Sequence, residues 1–286
     1  MKTGTAVPFI QEHFMLGEGP CWNAETGELS WVDIKTGTLH ILDRDGHRAA
    51  VQTGQYLGAA VPAQDGRFIA LMTTGIYSMN RNEVTSKLAE PEKLEIFQRF
   101  NDAKCDPAGR LWAGTMPLFM QHVREGGKVY RYADGKCELT GLSAIVPNGM
   151  AWTADGKTMY LVETAFGNID RLDYDPETGT AVNRRTVIHI DGGVPDGMTI
   201  DAEDKLWVAV WGAGEVRRYD PETAEILETV TVGCAQVSSC CFGESNLETL
   251  FITTSAEGDD SGSAGYVFKY ETGVRGTGTS LFRYER

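Results

Sequence analysis

Asp106-Pro-Ala-Gly-Arg-Leu-Trp-Ala-Gly-Thr115, followed by Gly127-Lys-Val-Tyr-Arg-Tyr132, decides how the rest of the chain is read. It is a polar turn, an apolar run with strand composition, a glycine break and a second such run. The same order returns as Asp201-Ala-Glu-Asp-Lys-Leu-Trp-Val-Ala-Val210 with Gly214-Glu-Val-Arg-Arg-Tyr-Asp220. It returns again as Thr153-Ala-Asp-Gly-Lys-Thr-Met-Tyr-Leu-Val162. Further copies begin at Ala24, Ala63 and Gly243. The spacing is roughly 40 to 48 residues, the length of one four-stranded propeller blade. Apolar residues at helical spacing are nearly absent. The sequence therefore predicts an all-β fold: a six-bladed β-propeller of four-stranded antiparallel blades around a central channel. No Pro/Ser-rich linker divides the chain, so one domain over residues 1–286 is expected. Ring closure needs a strand from a chain end, and both residues 5–14 and 279–284 have strand composition.

Composition narrows the function. Apolar residues make up 42% and charged residues 23%, an ordinary globular balance. Lys plus Arg number 26 against 40 Asp plus Glu, a formal charge of −14. Such a surface repels phosphates and anionic lipid, so neither nucleic acid nor membrane is an expected partner. No run approaches the ~18 apolar residues of a membrane span, and the N-terminus has no secretory pattern. The six cysteines form no CxxC pair and are read as buried free thiols, which fits a reducing compartment. A cytoplasmic protein, monomeric or weakly homo-oligomeric, is expected. The five histidines lack ligand spacing and are read as surface or turn residues, with His122 a candidate exception.

The repeat is most informative where it breaks its own apolar pattern. Aligning the units on the apolar anchor of each innermost strand puts Glu18 before Trp22, Asn101 before Cys105, Asn148 before Trp152 and Asp196 before Ile200. The remaining two positions fall on Leu57 and Ser238. Equivalent positions in a radial array share one ring, so acids and amides from distant segments converge beside the channel. Two carboxylates and neutral amide oxygens suit a hard divalent cation or another polar ligand, and the other reading of the Asn-Gly and Asp-Gly pairs is ordinary hairpin turns. A glycine follows Glu18, Asn148 and Asp196, where it is expected to allow a tight turn.

Leu16-Gly-Glu-Gly-Pro20, Trp31-Val-Asp-Ile34, Arg99-Phe-Asn-Asp102, Cys105-Asp-Pro107, Gly114-Thr-Met116, Pro147-Asn-Gly149 and Pro195-Asp-Gly197 resemble the motifs of the senescence-marker-protein/gluconolactonase family, in the family's order across nearly the whole chain. The resemblance implies a propeller with one divalent metal on its axis. Calcium is the first choice; zinc, manganese, magnesium and iron are the others. Carried over by motif, Glu18, Asn148 and Asp196 are the metal ligands, Arg99 and Asn101 contact substrate, and Asp196 is also the general base. The implied reaction is hydrolysis of a sugar (aldono) lactone to the aldonic acid. It leaves open whether Asp196 or the cation itself activates the water. Residues 117–126 interrupt the third repeat and are the expected lid, with Phe119 over a sugar face and His122 toward an anionic substituent. Two departures bear on substrate identity: Ala103 stands where a glycine is common, and Pro117-Leu-Phe-Met-Gln121 stands where some relatives carry a carboxylate. The rival functions are a non-catalytic calcium-binding regulatory propeller and a metal-dependent arylesterase or phosphotriesterase.

Overall fold

The repeats fold into six sheets, each built mainly from one sequence unit in antiparallel order. A computed structural model describes residues 1–91, 98–118 and 126–284. The innermost strands are Gly17–Asn23, Leu57–Pro62, Gln98–Cys105, Pro147–Trp152, Val194–Ile200 and Val237–Gly243. Each packs against the next in sequence, and the sixth packs against the first, so the six close a ring around a channel. The architecture is the expected six-bladed propeller.

The register is the one the repeat implies. Each anchor residue pairs with an apolar residue in the first two positions of the second strand: Trp22 with Leu29, Val61 with Ile69, Cys105 with Leu111, Trp152 with Met159, Ile200 with Leu206 and Phe242 with Leu250. Toward the start of each innermost strand the register slips by one residue, for example between Glu18 and Cys21, Pro147 and Met150, and Pro195 and Met198. All six innermost strands carry this bulge. A bulge inserts one unpaired residue and re-aims side chains, and here it coincides with the ring positions.

Blade faces bury their apolar residues on one another. Trp31, Trp112 and Trp207 are fully buried between blades, and Trp152 nearly so. Both chain ends staple the ring. Val7–Ile10 pairs with Val267–Glu271 as the outermost strand of blade six, so the N-terminal segment is the one that closes the ring. Lys2–Thr5 adds a fifth, parallel strand to blade five. The C-terminal segment instead crosses the face opposite the ring. Thr277 N donates to Ile200 O (3.2 Å), and Phe282 N donates to Pro62 O (2.9 Å).

The helical turn Thr164–Phe166 is a 3-10 turn, and no described helix is long and apolar enough to cross a membrane. All six cysteines are free, and five are buried. His40 departs from the surface reading. It lies within the strand Thr38–Leu42 and stacks on Trp31 (5.3 Å between ring centres), and burial lowers its pKa to about 4.

Candidate metal and substrate site

Each ring residue sits at the bulged start of an innermost strand, and two acids fix those starts. Asp33 accepts hydrogen bonds from Met15 N (3.0 Å) and Leu16 N (3.2 Å), just ahead of Glu18. Glu163 accepts from Ile145 N (2.7 Å) and Val146 N (3.0 Å), just ahead of Asn148. These anchors were not singled out from the sequence. The signal was present as the acid that ends each second strand, in Trp31-Val-Asp33 and Leu161-Val-Glu163.

The glycines next to the ring serve a different end from the one expected. Only Gly19 has a positive φ (52°). Gly149 and Gly197 are needed for close approach. A Cβ at Gly149 would lie 2.5 Å from Met198 N, and one at Gly197 would lie 2.0 Å from Ser239 Oγ. Adjacent innermost strands thus touch backbone to backbone around the channel.

Glu18, Arg99, Asn101, Asn148 and Asp196 line one cavity of about 700 Å³ at the mouth of the channel. Four are nearly inaccessible to water: Glu18 5%, Asn101 8%, Asn148 4% and Asp196 9% exposed. Leu57, at the fifth ring position, is fully buried, and Ser238, at the sixth, donates to Gly17 O (2.5 Å). Neither offers a free ligand.

Hydrogen bonding fixes the orientation of Asn148. Its Nδ2 donates to Asp196 Oδ1 and to Thr164 Oγ1 (3.2 Å). The Thr164 hydroxyl spends its proton on Pro195 O (2.8 Å), so toward Asn148 it acts as acceptor. The amide nitrogen must therefore face Asp196 and Thr164. Asn148 Oδ1 is left buried without a partner. A buried acceptor left unmade costs roughly 1–3 kcal/mol, so an orphan of this kind calls for a ligand.

The acids around it accept hydrogen bonds but form no ion pair among the described residues. Other buried carboxylates are compensated: Asp106 has Arg110 (2.6 Å), Asp201 has Arg218 (2.8 Å), and Asp33 and Glu163 each accept at least two backbone amides. Among the described residues no lysine or arginine forms an ion pair with Glu18, Asp196 or the neighbouring Asp102, which is also buried. Burial, then the charges of Asp196 and Asp102, push Glu18 well above the usual carboxylate range. Burial, then Asp102, raises Asp196 to about 8. Asp102 is raised by burial as well, against the pull of Lys104. Two carboxylates and an orphan amide oxygen, all oxygen donors, fit a hard divalent cation.

Arg99 is the cation at the edge of this group. Its Nη1 donates to Phe100 O (2.9 Å) and Asn101 Oδ1 (3.1 Å), while Asn101 Nδ2 donates to Pro147 O (3.2 Å). Asn101 therefore positions the guanidinium as well as lining the cavity. Burial lowers Arg99 to about 10, which leaves it charged at neutral pH.

Trp211, Pro117 and Leu118 also line the cavity. Phe119 and His122, and with them residues 119–125 of the expected lid, lie outside the described residues. The far end of the channel opens into a smaller cavity of about 270 Å³ under residues 277–280, lined by Cys21, Lys104, Cys105, Thr199 and Cys241 among others but by no carboxylate. Asp43, Asp45 and His47 gather within 4.8 Å in an outer hairpin turn. There Asp43 already accepts from the amides of Asp45 and His47, so the turn accounts for that cluster.

Residues 16–256 match the family described as SMP-30/Gluconolactonase/LRE-like region. The chain belongs to that family. It is similar to a putative sugar lactone lactonase of Bacillus subtilis, with 36% identity over 248 residues, 85% of this chain and 84% of that protein. It is similar to a pentonolactonase of Haloferax volcanii, with 36% identity over 270 residues, 91% of this chain and 88% of that protein. A solved structure described as a calcium-binding protein, regucalcin, from Agrobacterium tumefaciens superposes with a TM-score of 0.90 at 26% identity, covering 99% of both chains.

Proposed function

We propose that this family member hydrolyses a sugar lactone to the open-chain aldonic acid, with one divalent cation held by Glu18, Asn148 and Asp196. The observation that carries the reading is the buried, unpartnered Asn148 Oδ1 beside two buried acids that form no ion pair among the described residues. The names of the lactonase relatives supply the reaction class. A bound cation would polarise the lactone carbonyl and offset negative charge on its oxygen. Calcium is the first candidate on ligand type, with manganese, magnesium, zinc and iron behind it.

The chain's own groups do the rest. Arg99, steadied by Asn101, donates to the hydroxyls beside the carbonyl and fixes the ring. Asp196 Oδ1 is held by Asn148, which leaves Oδ2 to accept the proton of the attacking water. The new carbon–oxygen bond forms as that proton moves to Asp196. The ring carbon–oxygen bond then breaks, and the proton passes to the departing ring oxygen, which becomes the free hydroxyl of the acid. One domain over residues 1–286, a cytoplasmic setting and action as a monomer or weak homo-oligomer belong to the same proposal.

The test is metal-stripped protein assayed for acid release on a panel of aldonolactones, with single divalent metals added back. Metal-restored turnover is expected. Stoichiometric calcium binding without turnover of any lactone would instead favour a regulatory calcium binder. Turnover confined to aryl esters or phosphotriesters would favour those hydrolase classes.

A further inference from the structure

The cavity at the far end of the channel differs in charge from the one at the mouth. Its volume is about 270 Å³, and its lining includes Lys104 and the hydroxyl residues Thr153, Thr199, Thr277, Thr279 and Ser280. No described carboxylate lines it. The thiols of Cys21, Cys105 and Cys241 do, and burial pushes all three above their ordinary range, so they stay neutral at pH 7. In a chain of net charge −14, the one charge among the described lining residues is thus positive.

Lys104 leaves the innermost strand of blade three and reaches blade five, where Nζ donates to Met198 O (2.7 Å). An ammonium carries three protons, so two remain. Among the described residues Lys104 forms no ion pair, although Asp102 feels its charge. Asp102 does not line the cavity. Thr199 is only 7% exposed, and its hydroxyl has no hydrogen-bond partner among the described residues. The same holds for the hydroxyls of Thr279 and Ser280. By contrast, Thr277 Oγ1 is spent on Ile200 O (2.9 Å) and Thr153 Oγ1 on Asp155 Oδ1 (2.7 Å). The C-terminal segment over the cavity is tied to blade five at Thr277 and to blade two at Phe282. Between these ties the amides of residues 278–281 have no intramolecular acceptor among the described residues.

We propose that this cavity is a second binding site, for a small oxyanion of the carboxylate or phosphate type, held by the Lys104 ammonium and the free hydroxyls of Thr199, Thr279 and Ser280. A cation would be repelled by Lys104, and a neutral ligand would leave its charge unmatched. An oxyanion supplies both the opposite charge and acceptors for the unspent donors, in charge-assisted hydrogen bonds. The volume lies just below the range usual for larger ligands and suits a small one. The site stands apart from the lactonase reading and does not depend on it.

Calorimetric titration of the full-length protein with inorganic phosphate and, separately, with gluconate is the test. Each is run on protein as purified and on protein treated with chelator and then dialysed. One ion per chain is expected in the chelator-treated protein, with the affinity it has before treatment. The tighter of the two ligands tells a phosphate from a carboxylate occupant, and either supports the site. Lys104→Met should weaken binding at least tenfold and Thr199→Val severalfold, with melting temperatures confirming that both fold. Arg99→Met, at the opposite end of the channel, should leave it unchanged. Absence of binding by both anions at millimolar concentration overturns the proposal. Unchanged affinity in the folded variants also overturns it. So does binding that is lost in Arg99→Met or on removal of metal, because the ion would then sit at the mouth.

Discussion

Asn148 donates its side-chain amide to Asp196 across the joint between blades four and five, and thereby leaves its own Oδ1 buried and unpartnered. Two residues 48 positions apart in the chain are thus locked in one orientation. The contact ties the geometry of the proposed ligand set to the packing of two blades. Its consequences are measurable.

The pH dependence of stability carries a definite sign. Asp196 has its folded pKa raised to about 8, so in the cation-free protein it binds its proton more tightly when folded. Its contribution is fully present below the ordinary carboxylate range, near pH 4, and is lost as pH rises toward 8. His40, lowered to about 4, acts oppositely, since its contribution is lost as pH falls from about 6.5. Comparison with Asp196→Asn removes the Asp196 titration together with the charge that helps raise Glu18, and both changes act in the same direction. In chelator-treated protein the melting temperature of Asp196→Asn should rise relative to wild type as pH goes from 4 to 8. Each kcal/mol recovered should appear as about 2–4 °C. A difference that stays flat over that range would remove the unpaired-acid account.

Glu163 is a positioning residue, and its loss should be felt at the cation. Replacing it by Ala frees Ile145 N and Val146 N, which hold the start of the strand bearing Asn148. Metal affinity measured by titration calorimetry is expected to fall about tenfold or more, as for other residues that orient ligands. A melting temperature lowered without any change in metal affinity would show a purely structural role.

Gly149 has no room for a side chain. Gly149→Ala would set a Cβ against the backbone of Met198 and Asp196, in contacts that no rotamer can relieve. Overpacking of this kind costs about 1–3 kcal/mol, so a lower melting temperature and weaker metal binding are expected together. Gly46→Ala is the control for positive φ alone, because nothing lies within 4 Å of its Cβ position. It should leave metal affinity unchanged.

Arg99→Met should separate substrate from cation. The guanidinium lies outside the proposed ligand set but within the cavity. Metal affinity should stay within a few-fold of wild type, while kcat/KM on aldonolactones falls about a hundredfold, the scale of a lost buried charge-assisted hydrogen bond. Loss of metal binding in this variant would move Arg99 into the support of the ligands.

Much of this was legible in the sequence because a repeat converts chain position into place. Once Trp22, Trp152 and Ile200 are recognised as equivalent anchors, Glu18, Asn148 and Asp196 fall on one ring. The structure keeps that register residue for residue. What stayed hidden depends on contacts between blades. The need for glycine at positions 149 and 197 comes from the neighbouring innermost strand, not from a turn. Thr164, which fixes the Asn148 amide, acts through a proton committed to Pro195 in the next blade. Asp102 stands out in the sequence only as part of a motif, yet it is the third buried acid of the group. His40 reads as polar in a polar-spaced strand, but Trp31 and Phe14 cover it from two sides.

Calorimetric titration of chelator-treated protein with a divalent metal addresses the shared-cation idea most directly. Wild type should take up one ion per chain, and Glu18→Gln, Asn148→Ala and Asp196→Asn should each weaken that uptake at least a hundredfold while remaining folded. One-to-one binding of unchanged affinity in all three variants would contradict it.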